Sequence, residues 1–207
     1  MKTVDFLRYV EQEMHSVVMA TIDEQGCPVT CAVDIMDSDE NGLYFLTAKG
    51  KSLYQRLKMN GVVALTGIKG GDTLSRVAIS IRGKARELDN GPVSTLFEKN
   101  KYMKEIYPLE QSRQALTVFL LYEGSGEWFD LSKKPVERAS FFIGPGEREA
   151  KGYWITEKCT GCRACEALCP QGCIDFTVTP AVIKQEHCLY CGNCMETCPH
   201  HAVVWKG

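Results

Sequence analysis

Nine of the chain's 11 cysteines lie in its last 55 positions, and eight of those nine fall into one pattern written twice. CTGCRACEALCP carries Cys159, Cys162, Cys165 and Cys169, and CLYCGNCMETCP carries Cys188, Cys191, Cys194 and Cys198. Each reads C-x2-C-x2-C-x3-C-P, and the second copy follows the first by 29 residues. Pro170 and Pro199, Ile174 and Val203, and Phe176 and Trp205 share that offset. Such a repeat requires a small unit built from two like halves. The other two cysteines, Cys27 and Cys31, lie far upstream, so the chain divides into two chemically distinct segments. IGPGEREAKG, near Gly144–Gly152, holds three glycines, a proline and four charges, and reads as a linker between them.

The spacing disfavours two other cysteine chemistries. Disulfides are rare in cytosolic chains, and runs of four closely spaced cysteines are not a pairing pattern. Zinc usually takes two C-x-x-C pairs per site. Three cysteines within seven residues can instead wrap three corners of a 4Fe–4S cubane, while the fourth starts a helix directed toward the other half. The segment resembles the bacterial 2×(4Fe–4S) ferredoxins over its whole length. The resemblance implies one cluster on Cys159, Cys162, Cys165 and Cys198, and another on Cys188, Cys191, Cys194 and Cys169. It also implies one-electron transfer at low potential. Pro170 and Pro199 remove an amide donor and turn the chain away. The ninth cysteine, Cys173, aligns with Ala202 and reads as a small buried residue near a cluster. His187, His200 and His201 read as surface or packing residues.

The first segment alternates short apolar runs with turns. Strands are predicted at 17–22, 29–36, 43–48, 62–68, 77–88, 116–124 and 139–144, with a meander over the first three. That many short strands predict a closed or nearly closed barrel. Helices are predicted over 3–14, 52–59 and 93–107, the last set between Pro92 and Pro108. The fold class expected is α+β: a β-rich barrel with helices, followed by the small cysteine-rich domain. The boundaries expected are 1–146, a linker at 147–152, and 153–207. Cys27 and Cys31 are four apart in extended chain, roughly 13 Å, too far for a disulfide.

The ordered set Gly26-x-Pro28, then Tyr44-Phe45-Leu46-Thr47, a loop with Lys49 and Lys51, a helix from Ser52 with Leu57 and Asn60, and Val63–Leu65 resembles the FMN-binding split β-barrel of the pyridoxamine 5′-phosphate oxidase-like superfamily. The resemblance covers roughly residues 3–143. It implies an FMN whose ring lies against Cys31, Ala32, Val33 and Asp34, largely through backbone groups. The phosphate would meet Lys49, Lys51, Ser52 and the helix N-terminus, with Thr47 on the ribityl chain or phosphate. Trp128 aligns with an aromatic near the flavin, and Arg76 and Arg82 with a strand that often lines the site. A homodimer with FMN at its interface is implied; barrels of this superfamily also accept a deazaflavin or haem. The oxidase itself carries an R-x-H-D-R run on its vitamin substrate. Here the aligned residues are Lys134, Pro135, Val136, Glu137 and Arg138, so only the last arginine persists. Ser52 and Leu53 likewise stand where the oxidase has an arginine and a lysine. Pyridoxamine 5′-phosphate oxidase activity is therefore not expected.

Together the segments point to a flavin–iron–sulfur oxidoreductase in which electrons pass between the two clusters and FMN. Its partners would be an external ferredoxin or reductase and a small-molecule acceptor. No catalytic side chain stands out. Two other classes share the motifs: an electron carrier whose barrel only dimerises or docks, and a flavin redox sensor. With 24 basic and 26 acidic residues there is no basic excess for nucleic acid. Apolar runs are far shorter than the ~20 residues of a membrane span. MKTVDFLRYVEQEM lacks the unbroken apolar core of a secretion signal, so a cytoplasmic location is expected.

Overall fold

A computed structural model describes residues 1–89, 91–145 and 151–207. Helix α1 (Thr3–Tyr9) runs on into a π-helical segment, Val10–Met14, and together they bury Phe6, Leu7, Val10 and Met14. Strands β1 (Ser16–Ile22), β2 (Pro28–Asp39) and β3 (Gly42–Ala48) form the expected meander, with residue-by-residue antiparallel registers from Ser16↔Asp34 to Ile22↔Pro28. Helix α2 (Ser52–Asn60), strand β4 (Val62–Lys69) and strand β5 (Val77–Glu87) follow. Next come α3 (Val93–Lys99), α4 (Met103–Ile106), α5 (Glu110–Arg113), β6 (Leu116–Asp130) and β7 (Glu137–Ile143). The sheet order is β3-β2-β1-β4-β5-β6-β7, and β3 also pairs with β6. Six strands therefore close into an antiparallel barrel, with β7 flanking β6.

Alternation sets which side of each strand faces in. β1 buries Val17, Met19 and Thr21, and β4 buries Val63, Leu65 and Gly67, with exposed residues between them. Phe45 of β3 stacks on Phe119 of β6 at 5.7 Å across the closing seam. Gly42 opens β3 at φ +143°, and a Cβ there would lie 1.8 Å from the Leu121 carbonyl oxygen. The barrel can close at this point only around glycine. The single helix expected over 93–107 is instead two. Asn100 turns its side-chain amide to the carbonyls of Met36 (2.8 Å) and Leu96 (3.0 Å). A tertiary bond to β2 thus takes the chain out of the helix. Leu96, Phe97 and Met103 still pack as one cluster with Met36, Leu116 and Val118.

Residues Met1–Lys69, Ala78–Glu127 and 141–145 make one compact unit. The second gathers Gly70–Val77, Trp128–Ser140 and the described residues from 151 onward. The linker expected at 147–152 lies mostly outside the described residues; Gly152 already opens β8 (Gly152–Ile155). The second unit continues with β9 (Ile174–Asp175), β10 (Val182–Ile183), α6 (Asn193–Glu196) and β11 (Val203–Lys206). β8 pairs with β11 and β9 with β10. By the 29-residue offset β8 corresponds to β10 and β9 to β11, so each pair joins one strand from each repeat. Among the described residues no helix is long and apolar enough to cross a membrane.

Candidate functional site

The repeat persists in the backbone of the second unit. Left-handed φ values occur at equivalent positions: Gly161 (72°) and Tyr190 (57°), Arg163 (62°) and Gly192 (82°), Gly172 (56°) and His201 (46°). Each pair holds one glycine and one residue that bears the cost of this conformation, about 1–2 kcal/mol. The geometry therefore belongs to the loop rather than to a particular residue. Turns of this kind aim successive amides into a concavity.

Cys159, Cys162, Cys165 and Cys198 line one small pocket. Cys169, Cys188, Cys191 and Cys194 line a second, together with Cys173. Each quartet takes three thiols from one repeat and the fourth from the other. Among the described residues no three His, Cys, Asp or Glu side chains close on a point that would hold a single metal ion. Four soft thiol donors drawn from both repeats fit a 4Fe–4S core. The Cys173 amide lies 3.4 Å from Cys169 Sγ, and the Ala202 amide lies 3.3 Å from Cys198 Sγ. Burial raises the Cys165 thiol and pushes Cys194 up to about 11. Cys188 is held below the usual thiol range, first by its hydrogen bond with Cys173 and then, against burial, by the Tyr190 amide and the charge of Arg138. Cys173 is raised by the same bond and by burial. Cluster assembly takes the ligand thiols as thiolates.

The connection between β6 and β7 belongs to this second unit. The Val136 amide donates to Gln171 Oε1 at 3.0 Å, and the Val136 carbonyl meets His187 Nδ1 at 2.8 Å. The Arg138 guanidinium lies 3.6 Å from the centre of the Tyr190 ring. The stretch aligned with the oxidase's substrate-holding run is thus engaged with residues beside Cys169 and Cys188. Trp128 is buried on β6 and also falls in the second unit. His187 is a packing residue, as expected, and His200 and His201 are exposed.

The remaining barrel candidates lie in the first unit, except Arg76, which falls in the second. The ladder of β2 with β3 begins at Ile35 and runs to Asp39. Cys31–Asp34 pair with β1, from Met19↔Cys31 to Ser16↔Asp34, and lie outside the β3 ladder. At the far end of β3, Thr47 is 3% exposed and its Oγ1 is buried without a hydrogen-bond partner. Its cross-strand neighbour Thr117 donates instead to Glu87 at 2.7 Å. Lys49, Lys51 and Ser52 follow at once and are exposed. Lys51 is the N-cap of α2 and makes no side-chain cap. The Tyr54 and Gln55 amides donate to the Lys51 carbonyl, which leaves the Ser52 and Leu53 amides of α2 to meet an anion beside two lysines and an orphaned hydroxyl. Arg76 and Arg82 are exposed, and Cys27 and Cys31 are not bridged.

One polar cluster has no signature in the sequence. Asp34 accepts from Ser16 Oγ at 2.5 Å and from the Tyr102 hydroxyl at 2.9 Å, and His15 Nε2 lies 3.0 Å from that hydroxyl. His15 sits at φ 55°, ψ −66°, a strained conformation at the end of the π-helical segment. The three partners are brought together across 87 and 68 residues of chain.

Two regions of the chain match protein-family models. Residues 4–122 match the family described as pyridoxamine 5′-phosphate oxidase, and residues 158–202 match a 4Fe–4S dicluster domain. The dicluster segment is 47% identical over 45 residues to a subunit of the ion-translocating oxidoreductase complex of Methanosarcina acetivorans, covering 22% of this chain and 17% of that protein. It is 38% identical over 56 residues to the pyruvate synthase subunit PorD of Methanothermobacter marburgensis, covering 27% of this chain and 65% of that one. The chain thus spans less than two thirds of either curated relative. The barrel superposes on a NimC/NimA family protein from Clostridium acetobutylicum with a TM-score of 0.53 and 14% identity, covering 68% of this chain and 92% of that one, a likeness of fold. A barrel closed by β3 and β6, matched by a family model over more than half of the sequence, places this chain in the pyridoxamine 5′-phosphate oxidase family, with a 4Fe–4S dicluster domain following the barrel.

Proposed function

We propose that the protein is a flavin–iron–sulfur oxidoreductase that passes single electrons between two 4Fe–4S clusters and FMN, and from there to a small-molecule or protein acceptor. The observation that carries the reading is the partition of eight cysteines into two crossed quartets within a chain whose barrel keeps an anion-ready loop. Cys159, Cys162, Cys165 and Cys198 would hold one cluster; Cys169, Cys188, Cys191 and Cys194 would hold the other. Lys49, Lys51 and the α2 amides would neutralise the FMN phosphate, and Thr47 Oγ1 would gain the partner it lacks. Backbone groups of Cys31–Asp34 that lie outside the β3 ladder are available to the ring. Bound FMN would supply the exchange between one- and two-electron chemistry. The barrel would work as a homodimer. Its outward face carries Val18, Ala20, Ala32, Ala64 and Thr66, cross-strand neighbours without a charge among them. Because Val136 and Arg138 are engaged within the dicluster unit, vitamin oxidation is not the activity proposed.

Cofactor content after anaerobic purification tests this reading. About eight irons, eight sulfides and one FMN per chain are expected. Thr47→Val should weaken FMN retention while leaving iron unchanged. Eight irons with no FMN retained or taken up would overturn the flavoenzyme and leave an electron carrier with a docking barrel.

A further inference from the structure

The two halves of the dicluster unit share a backbone but differ in what they set beside their cluster ligands. In each half the residue four beyond the last cysteine directs its amide to that cysteine's sulfur. At position 202 the side chain is only a methyl group. At 173 it is a thiol, 4% exposed, with Sγ 3.5 Å from Cys169 Sγ, and it lines the same pocket as Cys188. One ligand of that quartet, Cys169, therefore has an S–H neighbour at hydrogen-bond distance, packed in the same buried cluster as Cys188, that the other quartet lacks. Charge differs in the same sense. Arg138 is stacked on Tyr190 and its positive charge acts on Cys188. The arginine lining the other cavity, Arg163, is exposed and faces Glu166 at 3.5 Å; His200 on that wall is exposed as well.

We propose that Cys173 is a positioning residue that makes the Cys169/Cys188/Cys191/Cys194 cluster the higher-potential of the two, so that a single electron entering the unit comes to rest there. The inference rests on the cluster reading above. Reduction adds one negative charge to a cluster that already carries four thiolates. A hydrogen bond to a ligand sulfur stabilises that added charge and raises the potential. One electron leaves the Cys159/Cys162/Cys165/Cys198 cluster and one arrives at its neighbour; no bond breaks, and Cys173 keeps its proton. Burial acts the other way, because Cys188 and Cys194 are buried where their counterparts Cys159 and Cys165 are half-buried. That is a difference of degree, whereas the S–H donor has no counterpart in the other half.

The test is an anaerobic redox titration of the holoprotein with dithionite, followed by electron paramagnetic resonance, on wild type, Cys173→Ala, Cys173→Ser and Ala202→Cys. Cys173→Ala should move the higher of the two waves down by about tenfold in its reduction equilibrium, about 59 mV for one electron. The lower wave should stay in place. Cys173→Ser keeps a donor and should stay near wild type. Ala202→Cys should raise the lower wave and narrow the gap. Full iron content with both waves unmoved in Cys173→Ala, or with the lower wave moving, overturns the proposal and leaves the cluster reading standing. A wild-type protein that holds no cubane overturns both. If Cys173→Ala loses iron, Ala202→Cys decides alone, and an unmoved lower wave there also overturns the proposal.

Discussion

At the scale of single residues, Asp34 shows how a side chain can be prominent for one reason and built for another. Its position on β2 attracts notice through the strand, yet its carboxylate is occupied by Ser16 and Tyr102, with His15 3.8 Å away. Burial pushes its pKa up, but the hydrogen bonds from Ser16 and Tyr102 and the charge of His15 together outweigh burial, and the group ends below the ordinary value. A depressed carboxyl pKa stabilises the fold above the unfolded value, about 3.9, and that contribution is lost as pH falls through the folded pKa. Tyr102→Phe should therefore cost about 1 kcal/mol at pH 7, below the usual range for a bond to a charged group because Asp34 is over a third exposed and screened by solvent. The deficit should shrink on acidification below about pH 4. Urea unfolding followed by circular dichroism reads both; a deficit that grows toward acid pH would refute the assignment. None of this was legible in the sequence. His15 and Tyr102 are 87 residues apart, and only the closed barrel brings them together.

At the scale of elements, strands were the most legible part, because period-two alternation survives on β1, β3, β4 and β5 and is broken on β2 only where a bulge buries Ile35 and Met36 together. The cysteine loops were legible too, since ligand spacing is local. What failed to show was each feature fixed by a distant partner. The 93–107 helix reads as continuous until Asn100 finds the Met36 carbonyl. The connection at 131–136 lies between two strands predicted for the barrel, yet it belongs with the dicluster unit. Val136 is held there on both sides, by Gln171 on its amide and His187 on its carbonyl. Val136 is 8% exposed, so water is a poor substitute acceptor for its N–H. Gln171→Ala should speed exchange of the Val136 amide about tenfold, the loss of one bond worth about 1.4 kcal/mol. Amides of β9, bonded to β10 rather than to Gln171, should not change. Equal acceleration in both would mean that Gln171 supports the whole unit rather than this connection.

At the scale of the molecule, the two units differ in what holds each together. The barrel buries Phe45, Phe119, Leu7, Met19, Ile79 and Ile81 almost completely and closes its own sheet edges. It has a core of its own and needs no ligand to complete a hydrogen-bond ladder. In the second unit, three of the seven residues of the buried cluster are cysteines, Cys173, Cys188 and Cys194, and the strands around them are two to four residues long. A core this small rarely offsets the chain entropy of its own ordering, so clusters bound at the two quartets would contribute folding free energy directly. Anaerobic removal of iron by a chelator should therefore unfold the dicluster unit first. In hydrogen exchange read by mass spectrometry, peptides from 153–207 and from 128–140 should lose protection together, because the latter pack with the former. Peptides from β1, β3 and β4 should keep theirs. If 128–140 stays protected with the barrel strands, the Val136 and Arg138 contacts follow the barrel rather than stabilise the dicluster unit. If the barrel strands lose protection as well, the chain folds as one cooperative body and the iron sites support all of it.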